Sequence, residues 1–228
     1  HLPVSWKELL IVFHGHDLIK FNPPIWFLVA LFNCNILFYL VHFLRNKYLP
    51  AMFALTLLIG CTGFYLGKAQ ITLPLYLDVA MTALPFYVAG FWIRRYNFFL
   101  FPHHRFDKVI PLFVLLALLV MHFTATTLGM RTNNYSGNIF QVYIAAFAGI
   151  FMIMLLCKKV ERVKIISYLG RYSIITLSIH GPILHFLEPL IARYIHNSWA
   201  QATMLLFITL SICILLTPLF LKVIPQMV

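Results

Sequence analysis

Acidic side chains are scarce in this chain. Six Asp and Glu stand against 17 Lys and Arg in 228 residues, and charged residues of both signs make up 10%. A soluble domain carries about a quarter charged residues, so a water-facing shell of that kind is excluded. Cysteine is scarce as well. Cys34, Cys61, Cys157 and Cys213 all fall inside apolar runs, with no CxxC and no Cys/His ligand spacing. A disulfide framework or a zinc site is therefore not expected. Internal repeats and low-complexity runs are absent. The start shows no basic segment leading to a cleavage site, so no signal peptide is expected.

What the chain has in abundance is apolar surface. Hydrophobic residues make up 62%, aromatics 16%, and mean hydropathy is +0.90. Soluble domains are about half apolar. The composition predicts an all-α, polytopic transmembrane helix bundle forming a single domain over residues 1–228. A span needs about 20 apolar residues, and seven stretches qualify: Pro24–Leu44, Pro50–Leu66, Leu73–Ile93, Val109–Thr127, Asn138–Cys157, Tyr168–Leu190 and Trp199–Lys222. The net charge of +11 on a soluble protein would raise a nucleic-acid reading. Here the basic residues lie in short loops between spans, where topology requires them, and no nucleic-acid partner is expected.

Those loops alternate. Arg45 and Lys47 follow the first span, Arg94, Arg95, Arg105 and Lys108 the third, and Lys158, Lys159, Arg162 and Lys164 the fifth. The loops between hold a single Lys68, Arg131 or Arg193. The positive-inside rule makes the three basic loops and the C-terminus cytoplasmic. Residues 1–23 then form an extracytoplasmic loop, with Ser5–Phe13 a short interfacial helix. A cytoplasmic native N-terminus would require an odd number of spans upstream.

Polar groups inside spans are functional candidates because hydrocarbon penalises them. Two carboxylates qualify, Asp78 and Glu188. Asp78 lies roughly 8 Å in from Leu73 at helical rise, where it could equally reach interfacial water or pair with Lys68. Trp26 is a belt anchor or a site residue. Asn33 and Asn35 point in different directions, and at least one is expected to bond across helices. His180 precedes Gly181 and Pro182, and proline removes a backbone donor. The pattern predicts a local helix break with His180 facing a cavity. His185 and Glu188, three apart, can share a face. His14, His16 and Asp17 lack a second ligand set and read as a solvated loop. No metal site is expected.

Three segments carry a family resemblance. PPIWFLVALF (Pro23–Phe32), LPLYLDVAMTALPFYVAGFWIRR (Leu73–Arg95) and LGRYSIITLSIHGPI (Leu169–Ile183) match, in order, spans of membrane acyltransferase family 3. This family includes sugar and polysaccharide O-acetyltransferases, and the second segment is similar to its fucose-4-O-acetylase-like branch. The resemblance implies ten spans with both ends cytoplasmic, so three would precede those seen here. The family's main catalytic histidine sits in its first span and has no counterpart in this sequence. A chain truncated in that way is expected to be inactive alone.

The resemblance further implies a bacterial inner-membrane enzyme. An acyl group, usually acetyl from acetyl-CoA, passes from the cytoplasm to a hydroxyl of an extracytoplasmic or lipid-linked sugar. No resident cofactor is implied. Histidine suits the proton transfer near neutral pH, so His180 and Asp78 are the catalytic candidates. Trp26, Asn33, His185 and Glu188 are candidates for the acceptor, and Arg94, Arg95, Lys158, Lys159 and Arg171 for CoA phosphates. Trp26, Asp78 and His180 are expected to share a cavity. A transporter or flippase without acyl-transfer chemistry is the rival reading, and a non-catalytic scaffold is another.

Overall fold

The computed structural model describes residues 25–45, 48–96, 109–124, 128–160, 163–195 and 197–223. Eight helices are seen among them: α1 (Ile25–His42), α2 (Leu49–Lys68), α3 (Leu77–Arg95), α4 (Ile110–Thr124), α5 (Ile139–Val160), α6 (Lys164–Arg171), α7 (Ser173–Ala192) and α8 (Ser198–Val223). Each expected span holds a helix, but five helical runs are long and apolar enough to cross a membrane. These are Leu49–Lys68, Pro74–Arg95, Ile139–Cys157, Ser173–Ala192 and Ser198–Lys222. The apolar run Trp26–His42 and the 15-residue α4 are shorter. The expected Tyr168–Leu190 span is two helices, because Tyr172 leaves helical geometry at φ −104°, ψ 26°. In α6 Lys164, Ser167 and Arg171 share one face, the pattern of a surface helix.

The chain forms two compact units. Residues 27–159 belong to one and 160–228 to the other, with Trp26 assigned to the second.

In the first unit α2 presents Met52, Thr56, Gly60, Gly63, Phe64 and Gly67 on one buried stripe. Helices in lipid associate through small residues that let backbones approach. Gly63 shows this directly: a Cβ there would come 2.6 Å from the Thr82 amide nitrogen of α3. Cys34, Phe38 and Val41 of α1 complete a core with Met52, Ala80, Leu84 and Val88. Both asparagines of α1 bond outside their helix. Asn33 donates to the Leu75 carbonyl at 2.7 Å, and Asn35 accepts from the Tyr87 hydroxyl at 2.7 Å.

Helix α3 runs unbroken through Pro85. Proline removes one backbone bond and crowds the turn before it. In that turn the Thr82 carbonyl takes a bond from the Tyr143 hydroxyl of α5 at 2.9 Å. Helix α2 ends in a Schellman motif: Ile71 N–H reaches the Leu66 carbonyl at 2.9 Å and Gln70 N–H the Gly67 carbonyl at 3.0 Å. Gln70 holds the left-handed position at φ 55°. Leu75 and Tyr76, in the one-turn 3-10 helix Pro74–Tyr76 ahead of α3, are also left-handed, at φ 57° and 58°.

Between α4 and α5 a minimal hairpin pairs β1 (Leu128–Gly129) with β2 (Asn134–Tyr135). Tyr135 stacks on Phe64 of α2 with ring centroids 5.4 Å apart. That contact seats the hairpin on one end of the α2–α3 pair.

In the second unit α7 and α8 pack together. Helix α7 is continuous across His180, Gly181 and Pro182, so the expected break does not occur. Pro182 leaves the carbonyl one turn back without its usual donor, a loss a helix can absorb locally.

Candidate functional site

In the first unit Asp78 sits at the start of α3 and is 1% exposed. It is not paired with Lys68, whose ammonium lies 5.7 Å over the Phe64 ring. One carboxylate oxygen accepts from Asn133 Nδ2 at 3.2 Å and the other from the Leu73 amide at 3.4 Å. The Asn133 amide also donates to the Gly63 carbonyl at 3.0 Å and accepts from the Thr82 hydroxyl at 3.0 Å. Asn133 is fully buried, in the left-handed region at φ 49°. Asparagine tolerates that conformation better than most residues. Its backbone presses against Gly67, where any Cβ would collide with the Asn133 carbonyl. A carboxylate taken out of water needs such partners. Burial, and then the Asp78 charge, push the Tyr135 phenol beside this cluster above its ordinary value.

In the second unit a cavity of about 270 Å³ opens between α7 and α8. His180 lines it, with Ser173, Thr176 and Leu177 from α7 and Leu206, Thr209 and Leu210 from α8. His180 Nδ1 is 2.9 Å from the Thr176 carbonyl oxygen. A carbonyl can only accept, so Nδ1 carries a proton, and in the neutral ring Nε2 keeps its lone pair. The backbone of α7 thereby fixes the tautomer a general base needs. The Thr176 and Thr209 hydroxyls are buried and without a hydrogen-bond partner.

The other expected site residues lie apart from these two centres. Arg94 and Arg95 end α3, both exposed, with the Arg95 guanidinium 5.7 Å over the Trp92 ring. Arg171 is exposed at the end of α6. His185 and Glu188 are exposed on the second half of α7. Trp26 is partly exposed near the start of α1. Lys158 and Lys159 fall in α5, with side chains outside the described residues. Residues 1–24, with His14, His16 and Asp17, also lie outside them, as do Arg105 and Lys108. Asp78 belongs to the first unit, His180 and Trp26 to the second.

Asn133, Thr82, Tyr135, Thr176 and Thr209 had not stood out in the sequence. For Asn133 a signal existed: the run Thr132-Asn133-Asn134 is rich in residues that accept turn conformations. The three threonines carried none.

No curated protein and no solved structure matches the chain. The model of the acyltransferase domain of family 3 matches residues 1–218, and the chain belongs to that family.

Proposed function

We propose that this chain is the C-terminal part of a membrane O-acyltransferase that moves acetyl from cytoplasmic acetyl-CoA to a hydroxyl of an extracytoplasmic or lipid-linked sugar. The observation that carries the reading is His180. Its Nδ1 is anchored on the α7 backbone and its ring lines a cavity. In the reaction the acceptor oxygen attacks the thioester carbonyl and its proton passes to Nε2. A C–O ester bond forms, the C–S bond breaks, and the departing CoA thiolate takes the proton from His180.

The seven-span count belongs to this reading, with α1 and α4 crossing alongside the five longer runs and three further spans upstream. The basic loops and the C-terminus lie in the cytoplasm of a bacterial inner membrane. Arg94, Arg95, Lys158 and Lys159 of the first unit, and separately Arg171 of the second, are the candidates for CoA phosphates. Trp26, Asn33, His185 and Glu188 serve the acceptor side, Trp26 by stacking on a sugar face. Asp78 has a different part. At 1% exposure it fits a positioning group, holding the hairpin through Asn133, better than a group that touches substrate.

The test uses the full gene product in membrane vesicles with labelled acetyl-CoA. Wild type should place label in glycan, and His180→Ala at equal expression should lower the rate at least about 100-fold, the low end for loss of a general base. Unchanged labelling in His180→Ala sinks the assignment. Glycan movement without label favours the flippase.

A further inference from the structure

Of the hydroxyl residues lining the His180 cavity, Ser173, Thr176 and Thr209, the last two have buried oxygens without a partner. We infer that the cavity seats the acyl group of the donor, with Thr176 and Thr209 donating to the thioester carbonyl oxygen. This rests on the acyltransferase reading.

The first observation is how other hydroxyls in the same unit behave. Ser178 donates to the Ile174 carbonyl at 2.9 Å, Thr203 to Trp199 at 2.7 Å and Thr217 to Cys213 at 2.7 Å. Each satisfies itself on its own helix, one turn back, as hydroxyls in helices can. Thr176 and Thr209 do not. Both oxygens are buried and unpartnered, and both residues line the same cavity. An unpaired buried donor costs free energy. Two such donors, on residues of two helices that line one space with a histidine, are short of an acceptor.

The second observation is the rest of the wall. Leu169, Leu177 and Leu184 flank the histidine on one side and Leu206 and Leu210 on the other. Leu177 and Leu184 are two turns apart on α7, and Leu206 and Leu210 one turn apart on α8, so each pair shares a helix face. A sugar would bring many hydroxyls into a space with few partners for them. A metal ion would find no carboxylate among the lining residues. The fitting group has one strong acceptor and a short apolar tail, which describes an acyl thioester. At about 270 Å³ the cavity lies below the roughly 300–1,000 Å³ of sites for drug-sized ligands. It suits the acyl end of the donor, while the nucleotide stays outside.

The arrangement also serves the chemistry. As the acceptor oxygen bonds to the carbonyl carbon, the carbonyl π pair moves onto oxygen. Two fixed hydroxyls meet that charge where it develops. The pair returns as the C–S bond breaks.

The experiment has two arms, both on the full gene product in native membranes. In the first, Thr176→Val and Thr209→Val should each lower kcat/KM for acetyl-CoA by roughly 100- to 1,000-fold, the range for loss of one oxyanion donor. Thr209→Ser, which keeps the hydroxyl, should recover most of it. In the second, a short-chain acyl-CoA carrying a photoreactive diazirine on its acyl carbon is irradiated with wild-type membranes. The label should map by peptide mass spectrometry to 169–184 or 206–210. Rates equal to wild type in both valine variants, or label elsewhere in the chain, overturn the inference. Labelling needs no turnover, so it separates the two readings. Label in the cavity without transfer to glycan keeps the acyl seat and removes the glycan acyltransferase.

Discussion

Asn133 Nδ2 lies 3.2 Å from the Asp78 carboxylate and 3.0 Å from the Gly63 carbonyl. One amide from a hairpin thus joins the ends of two helices, α2 and α3, across 55 and 70 residues of sequence.

Replacing Asn133 with Ala should therefore cost more than a surface loop residue would. It removes a bond to a buried charge and leaves the Asp78 carboxylate with the Leu73 amide at 3.4 Å. The expected loss is about 1.5–3 kcal/mol, the range for hydrogen bonds to charged groups. Thermal unfolding in detergent reads it. Asp78→Ala combined with Asn133→Ala should cost less than the sum of the two single changes, and strict additivity would contradict the link.

The α2–α3 contact predicts opposite outcomes for two glycines. A Cβ at Gly63 meets the Thr82 backbone at 2.6 Å, whereas a Cβ at Gly90 meets nothing within 4 Å. Gly63→Ala should destabilise by roughly 1–3 kcal/mol, as overpacking does. Gly90→Ala should be neutral or stabilise by up to about 1 kcal/mol through helix propensity. Gly63→Ala should melt below wild type and Gly90→Ala at or above it in one melting experiment.

Gln70 occupies a position where glycine is favoured. At φ 55° it pays a left-handed cost of about 1–2 kcal/mol, partly offset by its side-chain amide donating to the Gly67 carbonyl at 3.0 Å. Gln70→Gly should raise stability by up to about 1 kcal/mol. A lower melting temperature for this variant would mean that the side-chain bond outweighs the backbone strain.

Tyr135 predicts an alkaline limit. Burial, and then the Asp78 charge, raise its phenol above the ordinary 10.0. The folded state then keeps its proton while the unfolded chain loses one. Below pH 10 both states are protonated and this group adds no slope. Above about pH 10 the unfolded state ionises first, so stability falls as pH rises. Tyr135→Phe should flatten that decline, measured as melting temperature between pH 8 and pH 11.

Much of the scaffold was legible from composition. Seven apolar runs were read, and each holds a helix, because length and hydropathy alone decide such segments. Two of these helices, Trp26–His42 and the 15-residue α4, fall short of span length among the described residues. The prolines misled in one respect. Pro182 suggested a break, yet α7 continues, since neighbouring groups can absorb one missing donor. His180 was conspicuous as a polar group in a span. Thr176 and Thr209 were not, because packing decides whether a helical hydroxyl bonds its own carbonyl. Asn133 was hidden for the same kind of reason: its partners are 51 to 70 residues away.

That separation sets an order of events during synthesis. Asp78 leaves the ribosome long before Asn133, and at about 5–20 residues per second the delay is roughly 3–11 seconds. During it the paired ends of α2 and α3 hold a carboxylate that lacks its amide. The hairpin ahead of α5 closes this gap, so chains halted before Asn133 should be preferred substrates for membrane quality-control proteases.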